Sequence, residues 1–141
     1  MEILIFAETD DKGNLKKDAY EIASYASEIS SENGGSVNAL CFNASNAESL
    51  SDYGVNKIIN SKNEQLKNFD PSNYSKCITE VFNNEKCNLL VLSSSSNSKH
   101  IGGILSVLTD ASYVTNVISK LTIGEKMTVV RNTFTNKAFE T

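Results

Sequence analysis

Apolar residues in this chain come in short β-rich runs, separated by stretches where they recur every three or four positions. The first run, residues 3–7, is bounded by Glu8-Thr9-Asp10-Asp11 and predicts a buried strand. Asn14 is then placed to cap a helix whose stripe is Leu15, Ala19, Ile22, Ala23, Ala26 and Ile29, with Asn33-Gly34-Gly35 ending it. Residues 36–42 read as a second strand, and the polar turn at 43–46 leads to a short helix at 47–53 closed by Gly54. Residues 55–59 make a brief third strand, expected near a sheet edge. Asp70-Pro71 is a strong helix start, because the carboxylate can cap and proline fits the first helical position. That helix carries Tyr74, Cys77, Ile78, Val81 and Phe82 on one side. Residues 88–92 form the most apolar run and predict a further central strand. The serines from 93 to 96 turn into a helix with Ile101, Ile104, Leu105 and Leu108 facing inward. Beyond Asp110, residues 113–118 and 126–134 read as strands with no helix between them.

Strands alternating with helices predict an α/β fold: a three-layer, Rossmann-like, mostly parallel sheet resembling that of adenine-nucleotide hydrolases. Extra strands lie near the C-terminus, and residues 1–141 are expected to form a single domain. Loops that follow the strands then share one edge of the sheet, where such folds bind ligands.

Composition narrows the functions. With 141 residues, 40% hydrophobic and 21% charged, the chain is an ordinary globular domain. A net charge of −4 without a basic cluster argues against nucleic acid, whose recognition needs a positive face. No stretch reaches the roughly 18 apolar residues of a membrane span, and the amino terminus does not read as an export signal. Cys41, Cys77 and Cys87 lack C-x-x-C spacing and His100 is the single histidine, so a metal set is not expected. The thiols read as free cysteines in a reducing, cytoplasmic setting.

Few residues suggest chemistry. Ser94, Ser95 and Asn97 lie where a strand turns into a helix, so their hydroxyls and the helix amides could meet a phosphate. The plainer reading is that they cap the helix and satisfy the turn, since no glycine-rich phosphate spacing is present. Gly102-Gly103 is expected to permit close helix–sheet packing. Glu8, Asp10 and Asp11 read as a solvated loop, and His100 as a partly exposed residue of a helix's first turn. No nucleophile–base pair can be assembled, which leaves a hydrolase as the weakest reading. Arg131, the only arginine, sits in a late strand-like run beside Asn132, Thr133, Asn136 and Lys137. It could clamp an acid or a phosphate, or simply protect a sheet edge. That run continues to the last residue on β-branched and aromatic side chains, which suggests the front part of something longer.

Taken in order, several passages resemble the amino-terminal domain of the electron transfer flavoprotein alpha subunit. Ile3-Leu4-Ile5-Phe6-Ala7-Glu8 with Gly13-Asn14-Leu15-Lys16-Lys17 is similar to that family's first strand and the entry to its first helix. Tyr53-Gly54-Val55-Asn56-Lys57-Ile58 is similar to its G-V-x-K-V passage, and Leu90-Val91-Leu92 with the serine loop to Lys99 resembles the strand and loop before its fourth helix. Val114-Thr115-Asn116-Val117 resembles its V-T-D-V strand, and the run from Arg131 to Ala138 its R-P-x-Y-A-G-N-A strand. Asn116 and Asn132 depart from the usual aspartate and proline, and the serine loop from the commoner T-x-x-G-K-D form.

The resemblance implies a heterodimer with a beta subunit around one FAD. It implies electrons taken from acyl-CoA dehydrogenases and passed towards a quinone reductase. In that family a second domain, absent from this chain, holds most of the flavin, so this chain would be a scaffold that contacts beta and has no catalytic site of its own. Arg131 and Asn136 match the strand near the domain junction and become candidates for contact with the second domain or with beta. Ser94, Ser95, Asn97 and Arg131 remain the weak candidates for cofactor contact. The alternative reading is a stand-alone adenine-nucleotide-binding module.

Overall fold

The computed structural model describes residues 2–93 and 95–109, together with strand segments at 122–123, 127–130 and 139–140. The strand β1 (Glu2–Phe6) is followed by the helix α1 (Lys17–Asn33), then β2 (Ser36–Phe42), a 3-10 helix at Ala47–Tyr53 and β3 (Lys57–Ser61). A second 3-10 turn at Glu64–Leu66 leads into α2 (Pro71–Asn84), β4 (Leu89–Val91) and α3 (Ser96–Thr109). These strands form a four-stranded sheet in the order β3-β2-β1-β4, with every pairing parallel. The segments β5 (Thr122–Ile123), β6 (Met127–Val130) and β7 (Phe139–Glu140) pair antiparallel in that order. The expected strand at 113–118 lies outside the described residues.

The parallel sheet is covered on both faces, which is why β1 and β2 are apolar almost without interruption. Side chains alternate across the sheet, and the two cores divide by parity. Ile3, Ile5, Ala7, Val37, Ala39 and Cys41 pack with Ala19, Ala23, Ala26 and Ile29 of α1. Leu4, Phe6, Leu40 and Phe42 pack on the other face with Ile78 of α2 and with Ile101 and Leu105 of α3. That face also holds an aromatic cluster in which Tyr74 meets Phe6, Phe42 and Phe69 at ring separations of 4.8–5.8 Å.

The boundaries follow local chemistry. Asp70 accepts from the Ser72 and Asn73 amides at 2.9 and 3.2 Å, with Pro71 opening α2 as expected. Gly54 closes the 3-10 helix in the left-handed region at φ 88°, and a Cβ there would lie 2.7 Å from the Cβ of Ser27.

Four expectations need correction. Asn14 does not cap α1, which starts at Lys17 without a side-chain cap. The Asp10 carboxylate instead accepts from the Lys12 and Asn14 amides at 2.9 and 3.0 Å, folding the segment into a turn whose arms bridge at Thr9 and Leu15. β4 is not central among the described strands, since it pairs only with β1 and its residues are half-buried. Of the expected inner face of α3, Ile101 and Leu105 are buried, but Ile104 and Leu108 are 40% and 47% exposed. The buried stripe runs through Ser98, Ile101, Gly102 and Leu105, which turns Ile104 and Leu108 away from α2 and the sheet. Gly102 lies on that stripe, whereas a Cβ on Gly103 would meet open space, so close packing does not require glycine at 103.

Candidate functional site at the crevice between β1 and β4

β1 pairs with β2 on one side and with β4 on the other. The chain thus reverses its direction of travel across the sheet between β1 and β4, and in open α/β sheets the crevice at the carboxyl ends of the strands beside such a point is where ligands bind. Two loops meet at it, one following β1 and one joining β4 to α3. Alternation settles which side chain of the first loop enters. Leu4 and Phe6 face α2 and α3, and so does the next residue of the same parity, Glu8.

Glu8 is only 5% exposed. Its Oε2 accepts from three hydroxyls, Ser93 Oγ at 2.5 Å, Ser95 Oγ at 2.5 Å and Ser98 Oγ at 3.2 Å. Ser95 immediately precedes α3 and also accepts from the Ser98 amide at 3.1 Å, so one hydroxyl both caps the helix and holds the carboxylate. A carboxylate beside a helix N-terminus is further favoured by the helix dipole. Burial of such a charge is costly unless it is hydrogen-bonded, and bonds to an ionised acceptor are worth about 1.5–3 kcal/mol each. Burial and the Glu8 charge together raise the Tyr74 phenol above its ordinary range, and its hydroxyl donates to the Leu66 carbonyl at 2.9 Å.

The reading of Glu8, Asp10 and Asp11 as one solvated loop is thus corrected for Glu8, while Asp10 and Asp11 are exposed. Ser95 is the cap, and Asn97 is half-buried in the first turn of α3. Ser94, Arg131 and Asn136 lie outside the described residues. His100 is exposed, with its ring 6.3 Å from that of Phe69. The sequence alone reads Glu8 as solvated and the serines as a loop of their own, and does not join Glu8 to Ser93 and Ser98. The signal was the parity of Glu8 with Leu4 and Phe6, together with the helical spacing of Ser95 and Ser98.

A second depression lies beyond β2 and β3, lined by Asn43, Ser45, Lys62, Asn63, Glu64 and Lys67 among others. Its polar groups largely serve the fold. Asn43 and Asn63 bond reciprocally at 2.9 Å, and Lys67 pairs with Glu64 at 2.9 Å. All three cysteines are free, with Cys41 and Cys87 buried. Among the described residues no cluster of His, Cys, Asp and Glu could hold a metal ion, and no helix is long and apolar enough to cross a membrane.

These features define a Rossmann-like α/β unit whose ligand-binding edge is bridged by a buried carboxylate. Residues 3–141 match the model of the electron transfer flavoprotein domain, and the chain belongs to that family of flavin-associated electron carriers. Comparison with curated proteins gives no match.

The family implies a flavin, and the crevice offers the test of fit. A flavin dinucleotide brings two phosphates, which need amides and hydroxyls free to donate. Here the Ser93, Ser95 and Ser98 hydroxyls already donate to Glu8, and Glu8 places a negative charge where a phosphate would come. The residues at this crevice do not fit that group.

Proposed function

We propose that this chain is the amino-terminal domain of an electron transfer flavoprotein alpha subunit, serving as the scaffold that contacts the beta subunit of a heterodimer. The observation that carries the reading is the family match over residues 3–141, on a unit with the Rossmann-like fold. The passages that resemble the alpha subunit support the choice of subunit, and they include Glu8 and the serine loop. FAD in this reading is held chiefly by a second domain and by beta, and its isoalloxazine carries the electrons. The donors are acyl-CoA dehydrogenases and the acceptor is a quinone reductase, both met through the complete heterodimer in the cytoplasm. The domain itself has no catalytic residue. Arg131 and Asn136 contact the flavin domain or beta, whereas Ser95 is engaged by Glu8 and is not carried forward as a cofactor contact. The Glu8–serine arrangement weighs against a stand-alone adenine-nucleotide module.

The test is co-expression of the full gene product with the electron transfer flavoprotein beta subunit from the same genome. A one-to-one heterodimer with bound flavin is expected by sedimentation and absorbance. Arg131→Ala with Asn136→Ala should weaken subunit association or shift the flavin spectrum. Failure of the two polypeptides to associate would overturn the assignment.

A further inference from the structure

We infer that Glu8 occupies the anion position of the crevice between β1 and β4 with the chain's own carboxylate, and thereby bars nucleotide phosphates from this α/β unit. The inference deepens the scaffold reading by naming the residue that keeps this unit free of nucleotide.

Topology supplies the first support. In open α/β sheets the crevice where strand order reverses is where phosphate-bearing ligands enter, with the helix N-terminus after a strand supplying donors. In this chain that place lies between the end of β1 and the start of α3. Register supplies the second. Ile5 pairs with Val91, so Glu8, three residues on, comes level with the serine loop that begins two residues after Val91. Parity then turns the Glu8 side chain towards α3.

Hydrogen bonding supplies the third. The hydroxyls of Ser93, Ser95 and Ser98 converge on one oxygen, Glu8 Oε2, and the Ser95 oxygen also receives the Ser98 amide. A hydroxyl has one proton to donate, so a phosphate could recruit these groups only by displacing the carboxylate. Displacement would leave the carboxylate of a residue that is only 5% exposed without its donors, next to a second anion. No Lys, Arg or His side chain bonds to Glu8 Oε2 among the described residues to make both anions tolerable. Truncating Glu8 removes the competitor and leaves three convergent hydroxyls at a helix start.

The experiment is an amide-resolved NMR titration of the wild-type chain, Glu8→Ala and Glu8→Gln with inorganic phosphate, AMP and FAD, following the Ser93, Ser95 and Ser98 amides. In the wild type these amides should stay unmoved into the millimolar range. In Glu8→Ala, phosphate and AMP should shift all three, with binding at least about tenfold tighter than in the wild type. Glu8→Gln keeps the side chain's volume and removes its charge, so it should show a smaller gain and serves if Glu8→Ala does not fold. Submicromolar or micromolar binding of AMP or FAD at these amides in the wild type would overturn the inference. So would folded variants that gain no phosphate binding. Heterodimer formation with beta is a separate readout, so either idea can fail while the other stands.

Discussion

Glu8 and Asp10 lie two residues apart in one acidic run, yet one is buried among serines and the other is exposed and holds a turn. The difference is not acidity but reach and parity: Glu8 still follows the pleat of β1, whereas Asp10 has entered the turn to Leu15. Two other residues carry a polar cost without a matching partner. Ser75 Oγ and Thr79 Oγ1, one turn apart on α2, are buried without a hydrogen-bond partner among the described residues. Removing such a hydroxyl without changing the packing relieves a desolvation penalty of about 1–3 kcal/mol. Ser75→Ala is therefore expected to leave stability unchanged or raise it, as read by thermal or urea unfolding; a loss above about 1 kcal/mol would mean that Ser75 has a partner. The thiols predict an alkaline limit. Burial pushes Cys41 and Cys87 up from 9.0 to about 11. Below pH 9 both states keep the proton, so the contribution is fully present. As pH rises from about 9 to about 11 the unfolded chain ionises first and stability falls. Tyr74, also raised by burial, acts in the same direction. Urea midpoints measured across that window should decline, and Cys41→Ala with Cys87→Ala should flatten the decline.

Elements begin and end where single residues give their backbone groups an alternative partner. Asp70→Ala removes both acceptor contacts at the start of α2 and should cost about 1 kcal/mol, measurable in the same unfolding experiment. Gly54→Ala combines a left-handed backbone with a Cβ 2.7 Å from the Ser27 Cβ. Left-handed strain of about 1–2 kcal/mol and overpacking of about 1–3 kcal/mol both apply, so the loss should exceed that of Asp70→Ala. If the two variants melted together, the close approach of the 3-10 helix to α1 would not matter to stability. α3 shows how far periodicity alone can mislead. Its apolar residues at 101, 104, 105 and 108 fit one broad stripe, but packing against α2 and the sheet uses a narrower one through Ser98, Ile101, Gly102 and Leu105.

Over the whole molecule, β1 is the shared wall of two cores. Ile5 belongs to the side covered by α1, and Leu4 to the side covered by α2 and α3. Either residue cut to alanine should cost about 2–5 kcal/mol. Because both sit on one strand, each loss should appear as a lower midpoint of a single transition, with helix signal and aromatic environment lost together. Separate transitions for the two faces would mean that β1 does not couple them. The two cores also fix the crevice: α1 lies to one side of β1, α3 to the other, and the loops after β1 and β4 must meet between them.

Much of this was legible along the chain. The α/β alternation, the bounds of β2 and of the 3-10 helix at Ala47–Tyr53, and the Asp70-Pro71 start of α2 followed from periodicity and from capping and turn chemistry, which act between near neighbours. The strand order, the place of β4 beside β1, the exposure of Ile104 and Leu108, and the meeting of Glu8 with Ser93, Ser95 and Ser98 were decided only in three dimensions. Glu8 and its serine partners stand 85 to 90 positions apart. No local pattern encodes such a pairing; it exists because β4 returns to lie beside β1 and brings the start of α3 against the end of the first strand.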